Sequence, residues 1–353
     1  EANIEEEQMK RVTAFLSVLA FALFGLAFAQ TYTIGVSNGF VASEWRTLMV
    51  QDLEATAQAL EDELGITVNL VFENADVDVQ GQIQQIQNLL NRGVDAIIIN
   101  PNDQVALNLA LEEAVEEGVV VIATDQEIGA EGVFNVVIDQ KEWGRQNARW
   151  LAEALGGEGN VVIIEGFVGH PANEDRMAGV EEVFAEFPGI NVVARETGLW
   201  DQATGQRVAS DMLASIPNID GILTQDGMAQ GILTALNAAN PSPFPIMTGE
   251  AYAGYLRLWQ ETAEAHPGFQ SVAVVNPPGI ASSALRVAIE MLQGGQIDEA
   301  QLAGPFGNSI YIDIPFVITS ADLADRLVEY QDRPDSYAMD GIITQEEAAS
   351  YMK

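Results

Sequence analysis

The chain has 353 residues, 48% of them hydrophobic and 19% charged, which is enough for two folded domains and too apolar for a disordered chain. Its formal charge of −37 opposes binding to nucleic acid and to anionic membranes, and the plain reading of that charge is solubility. With no cysteine, it has neither a disulfide framework nor a thiolate metal site, and cysteine usage assigns no redox compartment.

Met9-Lys10-Arg11 opens a charged n-region, Val12 to Leu26 is an apolar h-region, and Ala27-Phe28-Ala29 is an A-x-A cleavage signal before Gln30. The apolar run is short for a membrane span, so the pattern predicts a cleaved signal peptide and export. No cysteine follows, so no lipid anchor is expected. Glu1 to Gln8 precede the natural-looking start and are set aside. Residues 1–29 carry four acids and two bases, which leaves the exported chain at about −35.

From Thr31 the pattern alternates strand and helix. Tyr32 to Val36 predicts a strand, Ser43 to Leu64 a helix ended by Gly65, Thr67 to Phe72 a strand, and Gln80 to Arg92 a helix ended by Gly93. Ala96 to Ile99 and Val119 to Ala123 are all-apolar runs flanking a helical pattern over Asp103 to Glu117, which makes one βαβ unit. Strands this apolar need cover on both faces, hence a parallel sheet wrapped by helices, and ligands of such sheets bind at the carboxyl edge. A strand at Asn135 to Ile138 and a helix at Lys141 to Leu155 close this half.

A second set begins at Asn160 to Ile164, with strands at Asn191 to Glu196, Gly221 to Thr224, Pro245 to Thr248 and Ser271 to Val275. Helices are expected at Asn173 to Phe187, Ala203 to Ser215, Met228 to Ala239, Ala251 to Ala263 and Ser282 to Leu292. GVDAIIINPND and NIDGILTQDG echo one another across the halves, so two similar α/β lobes are expected, not one long sheet. A strand at Tyr311 to Ile318 precedes a helical tail interrupted by an Asp and Pro loop at Gln331 to Ser336. No Pro- or Ser-rich linker separates the halves.

Catalytic constellations are missing from the sequence. There is no G-x-G-x-x-G and no G-x-x-x-x-G-K-[ST]. Two histidines support neither a histidine metal site nor a Ser-His-Asp triad; His170 reads as a loop residue near a cleft and His266 as surface. What stands at or near strand ends is a set of polar and aromatic residues: Trp45, Asp125-Gln126, Arg176, Trp200-Asp201, Gln225-Asp226, Glu250 and Asn276. Taken singly, the aspartates could be helix caps, the tryptophans core, and Arg176 half of a surface ion pair.

The ordered fragments INPND, VIATDQ, ANEDRMAGVEEVF, GLWDQATGQRVASDML, ILTQDGMAQGILTAL, IMTGEA and VAVVNPPGIASSALRVA resemble the type I periplasmic binding proteins, in the ribose- and galactose-binding branch that serves ABC transporters. The resemblance runs from Thr31 to about Ile318. It implies that Trp45 and Trp200 stack on a sugar and that Asp125 keeps the family's acidic role, with Gln126 where the family has Arg. It also implies that Arg176 is the cleft arginine, balanced by Asp125 or Glu250, with Asn173 on the same helix. Gln225, Glu250 and Asn276 complete the ligand set. The departures at Gln126, Gln225 and Glu250 bear on which sugar is bound, not on the class.

By this resemblance the fold is α/β, two doubly wound parallel-sheet lobes joined by a three-segment hinge crossing near Ile138 to Gln140, Val275 to Pro277 and Gly307 to Ile312. Residues 30–139 with 276–310 form the N-terminal lobe, 140–275 the C-terminal lobe, and 311–353 a hinge-crossing strand and tail. The implied partners are a monosaccharide or polyol, a membrane permease and, as an optional reader of the closed form, a chemoreceptor. Nucleic acid is not among them, and a monomer with no cofactor, no metal and no catalytic residue is expected in the periplasm. Three rivals stand beside it: a repressor-like effector domain, opposed by the signal peptide; an exported glycosidase using Asp125 and Glu250 as acid and base; and an autoinducer-2 receptor, whose expected first-loop Lys is absent between Ser37 and Arg46.

Overall fold

Short β-branched runs such as Ala96 to Ile99 have no polar side, so each must bury both faces. The computed structural model, which describes residues 30–41 and 43–353, does this with two helix-wrapped sheets. The expected signal peptide lies outside the described residues. No helix among the described residues is long and apolar enough to cross a membrane.

The first sheet comprises β1 (Thr31–Asn38), β2 (Thr67–Asn74), β3 (Ala96–Asn100), β4 (Val120–Thr124), β5 (Phe134–Val137) and β11 (Ser309–Tyr311). Its order is β11-β5-β4-β3-β1-β2 and every pair is parallel. The second holds β6 (Glu158–Glu165), β7 (Gly189–Thr197), β8 (Gly221–Thr224), β9 (Ile246–Thr248), β10 (Ser271–Val274) and β12 (Val317–Ile318), in the order β12-β10-β9-β8-β6-β7 with β12 antiparallel. Strand order reverses at β1/β3 in one lobe and at β6/β8 in the other, which opens a crevice at the carboxyl ends of both sheets.

The helices are α1 (Glu44–Leu64), α2 (Val79–Asn91), α3 (Asn108–Glu116), α4 (Gln140–Ala154), α5 (Pro171–Glu186), α6 (Gln202–Ser215), α7 (Ala229–Ala239), α8 (Ala253–Ala265), α9 (Ile280–Leu292), α10 (Leu323–Glu329) and α11 (Gln345–Ser350). Alternate strand residues feed opposite faces. Ile34 and Ile98 pack with Leu53 of α1 and Leu285 of α9, while Ile97 and Ile99 pack with Leu89 of α2 and Leu111 of α3. In the second lobe Val162 and Ile164 meet Met212, Leu236 and Trp259 of α6, α7 and α8, and Val161 and Ile163 meet Leu151 and Val180 of α4 and α5. The chain passes between lobes at residues 138–139, 275–279 and 312–316.

The last passage differs from expectation. The strand expected over Tyr311 to Ile318 is split between two sheets, with Pro315, which has no N–H for a ladder, between β11 and β12, so the crossing starts after Tyr311 and not at Gly307. The helix expected from Asp103 starts only at Asn108, because the Asp103 carboxylate accepts from the Val105 and Ala106 amides and holds a turn there. His266, expected at the surface, is half-buried with its ring stacked on Phe244 at 3.9 Å.

Helices α4 and α5 approach closely because two glycines face the opposing backbone: a Cβ at Gly144 would lie 2.1 Å from the Arg176 carbonyl oxygen, and one at Gly179 would lie 2.1 Å from that of Lys141. Arg145–Glu182 and Arg149–Glu186 ion pairs line the exposed side of this contact and add little in water. Gly179→Ala should therefore force the helices apart and lower stability by about 1–3 kcal/mol, read as a drop in the urea midpoint. A midpoint unchanged within error would mean that the helices slide to make room at no cost.

Candidate functional site

The carboxyl ends of the strands deliver their loops to the crevice. In the first lobe β1 leads to Phe40, Trp45 and Arg46, and β4 leads to Asp125. In the second, α5 presents His170 and Arg176, β8 leads to Asp226, and β9 leads to Glu250 and Tyr252. These groups, with Trp200 and Asn276, enclose a cavity of about 610 Å³, within the range of small-molecule sites.

A ring of buried polar groups runs through both lobes. Arg46 lies 3.6 Å from Asp125 and donates to Asn38 at 3.3 Å. Gln140, at the first passage, donates to Asp125 Oδ1 at 3.0 Å and accepts from Arg176 Nε at 2.8 Å. Arg176 pairs with Asp226 and lies over the Trp143 ring at 4.3 Å. Asn276, at the second passage, donates to Asp226 Oδ2 at 3.1 Å and accepts through its carbonyl from Trp45 Nε1 at 3.0 Å, which leads back to Arg46. Two guanidiniums thus face two carboxylates, each pair nearly dry.

Burial raises the Asp125 carboxyl above its usual range, against the pull of Arg46 and Arg176. Burial and the same two cations push His170 down to about 3, so its ring is neutral. Neither ring nitrogen has a partner, and the ring meets Trp200 edge-on at 5.0 Å. Glu250 is fully buried at the start of α7, accepting from the Ala229 and Gln230 amides, and burial raises it to about 7. Asp125 and Trp200 adopt positive φ of 66° and 52°. Aspartate tolerates that region, but for a bulky residue such as Trp it is an outlier held by its surroundings. The Trp200 indole lies where a Gly166 Cβ would be, 2.1 Å away, and its N–H donates to Gln225 Oε1 at 2.8 Å.

The periplasmic binding protein domain family matches residues 34–296. The chain belongs to that family. As a periplasmic binding protein it is 33% identical over 183 residues to a xylitol-binding protein of Mycolicibacterium smegmatis, covering 51% of this chain and 52% of that one, so the match spans about half the relative's length. It is 26% identical to the D-allose-binding periplasmic protein of Escherichia coli over 74% of this chain and 88% of the relative. Among solved structures, an ABC transporter solute-binding protein from Thermobispora bispora superposes with a TM-score of 0.77 at 26% identity, covering 90% of this chain and 94% of that one. One from Actinobacillus succinogenes with bound D-allose gives 0.67 at 25%, covering 84% and 99%. These periplasmic binding proteins have the architecture found here, two parallel-sheet α/β lobes.

Of the residues singled out in the sequence, Trp45, Asp125, Arg176, Trp200, Asp201, Asp226, Glu250 and Asn276 reach this binding protein's cavity wall. Gln126, Asn173 and Gln225 do not. Gln126 is buried and donates to the Asp125 carboxylate. Asn173 accepts from the Gly166 amide at 2.9 Å and from Gln225 at 2.8 Å, so both stand behind Trp200 and Arg176. Arg176 makes its salt bridge with Asp226, which follows β8 directly into the cleft, and its charge also acts on Asp125, while Glu250 turns to cap α7. Asp201 is the N-cap of α6, accepting from the Thr204 amide at 2.7 Å. Trp45 is only 6% exposed in the first-lobe core, and Phe40, half-buried, gives that lobe a second aromatic at the cavity. Sequence reading missed Arg46, Tyr252 and the facing role of Asp226; Arg46 supplies the cation expected beside Asp125.

A carboxyl raised in the folded state binds its proton more tightly there than in the unfolded chain. Its stabilisation is complete below the ordinary 4.5 of Glu and is lost as pH rises through about 7. The melting temperature of the ligand-free protein should fall between pH 5 and pH 8, and Glu250→Gln should flatten part of that slope. Asp52, raised to about 7 by burial and Asp340, contributes in the same direction, while His170, pushed down to about 3, works the opposite way up to its ordinary 6.5, so the comparison of Glu250→Gln with wild type isolates Glu250. A Glu250→Gln slope equal to that of wild type would contradict the assignment.

Proposed function

We propose that the protein is an exported solute-binding component of an ABC importer that closes its lobes on a neutral monosaccharide or polyol and presents the closed form to a membrane permease. The observation that carries this reading is the charge pairing of the cavity. Arg46 faces Asp125 and Arg176 faces Asp226, while Glu250 caps a helix at a pKa near 7. Its buried charges are matched in pairs, so the site offers many donors and acceptors and no unpaired buried cation, which suits hydroxyl groups better than an anionic ligand. Phe40 and Trp200 bring aromatic surface for the apolar C–H faces of such a molecule. The relatives named for xylitol and D-allose belong to the same chemical class. Asp125, Arg176, Trp45, Trp200, Glu250 and Asn276 are the ligand contacts in this reading, with Gln126, Asn173 and Gln225 supporting them. Differential affinity for the closed state drives closure.

A thermal-shift panel of pentoses, hexoses, pentitols and inositols tests this. A true ligand at about a hundred times its Kd adds about 2.7 kcal/mol and raises the melting temperature. Arg176→Ala should weaken binding of that ligand by about 2 kcal/mol or more, since Asp226 would be left buried without its cation. A loss under about 0.5 kcal/mol would place Arg176 outside the site. We also place the mature start at Gln30, which N-terminal sequencing of periplasmic protein checks; retention of Met9 would refute it.

A further inference from the structure

The family match ends at residue 296, ahead of β11 and β12. Residues 331–341 nevertheless run between the lobes. On the second lobe, Arg257 of α8 donates to the Tyr330 and Arg333 carbonyls at 2.8 and 2.6 Å and pairs with Asp335. The carbonyls of Asp335 and Tyr337 accept from the Gly254 and Ala253 amides at 3.0 and 2.9 Å, capping α8 where Tyr252 at its N-cap offers no side-chain bond. Ala338 forms an antiparallel bridge with Tyr252. On the first lobe, the Asp340 carbonyl accepts from the Gly279 amide at 2.8 Å, Ser283 Oγ accepts from the Ile343 amide at 3.2 Å, and α11 follows beside α9.

This strap also reaches the cavity. Asp335 and Ser336 line it, and so does Tyr252, which the strap fixes. Tyr252 is 6% exposed and its hydroxyl has no hydrogen-bond partner. A buried phenol keeps such a hydroxyl unpaired at a cost that a ligand acceptor would remove. We infer that the C-terminal strap is the fourth wall of the ligand site, holding Tyr252 so that its hydroxyl bonds a hydroxyl of the bound sugar or polyol and presenting Asp335 and Ser336 to the same end of the molecule. This rests on the sugar or polyol reading above and adds a specificity-determining segment outside the matched family region.

The probe is whichever member of the carbohydrate panel raises the wild-type melting temperature most, with affinities measured by titration calorimetry. Tyr252→Phe keeps the ring and removes only the hydroxyl; it should weaken binding at least tenfold while the melting temperature of the ligand-free protein stays put. Arg257→Gln, outside the cavity, should open residues 331–341 to limited proteolysis and weaken binding by a similar factor, and ligand should slow the cleavage in wild type. Affinities within twofold of wild type in both variants, or a strap that is cleaved in Arg257→Gln without loss of affinity, would overturn the inference while leaving the sugar reading intact. A wild-type protein that no panel member stabilises would overturn both.

Discussion

Arg176 and Asp226 are 2% and 8% exposed, and removing two charges from water costs several kcal/mol per ion unless each finds partners. That requirement selects the surrounding residues. Arg176 Nε needs an acceptor, and Gln140 provides it; the guanidinium face needs cover, and Trp143 gives a ring at 4.3 Å; the second Asp226 oxygen needs a donor, and Asn276 supplies one. Gln140 and Asn276 stand where the chain passes between lobes. The hinge and the site are therefore one hydrogen-bonded system, and a change of inter-lobe angle necessarily stretches bonds to the buried charges.

Two of the five described non-glycine residues at positive φ wall the same cavity. Asp125 and Trp200 sit in the left-handed region at the ends of strand connections, one in each lobe. Trp200 is kept there by the absence of a side chain at Gly166, by its bond to Gln225, and through Gln225 by Asn173. In the proposed site, Gln225 and Asn173 would thus serve binding without lining the cavity, as positioning groups that hold an aromatic in a conformation it would not adopt alone.

The fold was largely legible because its strands are apolar on both faces and its helices carry caps. Runs such as AIIIN and VVIAT admit little else, and the echo between the halves separated two lobes from one sheet. The crossing after Tyr311 was not legible, since two short strands in different sheets look like one when only hydropathy is read. In the site, residues directly after strands were found, while Arg46 was missed because it lies inside α1, where a lone arginine usually faces solvent. Asp226 was recognised as polar and strand-terminal, but which of two adjacent polar side chains turns into the cleft depends on backbone direction. Tyr252 gives no signal in sequence, because its role depends on a strap that returns more than eighty positions later.

The outside and inside of the molecule obey different electrostatic rules. With a formal charge of −37, the surface field repels anions and attracts cations at long range, more strongly at low salt. Inside the cavity both buried arginines are already matched, Arg46 by Asp125 and Arg176 by Asp226, while Glu44, Asp201 and Asp335 on its wall add only negative charge. An anionic solute would meet a barrier at approach and no unpaired cation on arrival. A cation would be drawn in and then have to compete with Arg46 and Arg176 for their carboxylates. A neutral polyhydroxyl molecule does no electrostatic work against the field and can exchange its water for the ring of oriented donors and acceptors, so selectivity falls to hydrogen-bond geometry, in which a single hydroxyl misplaced against a buried partner is costly.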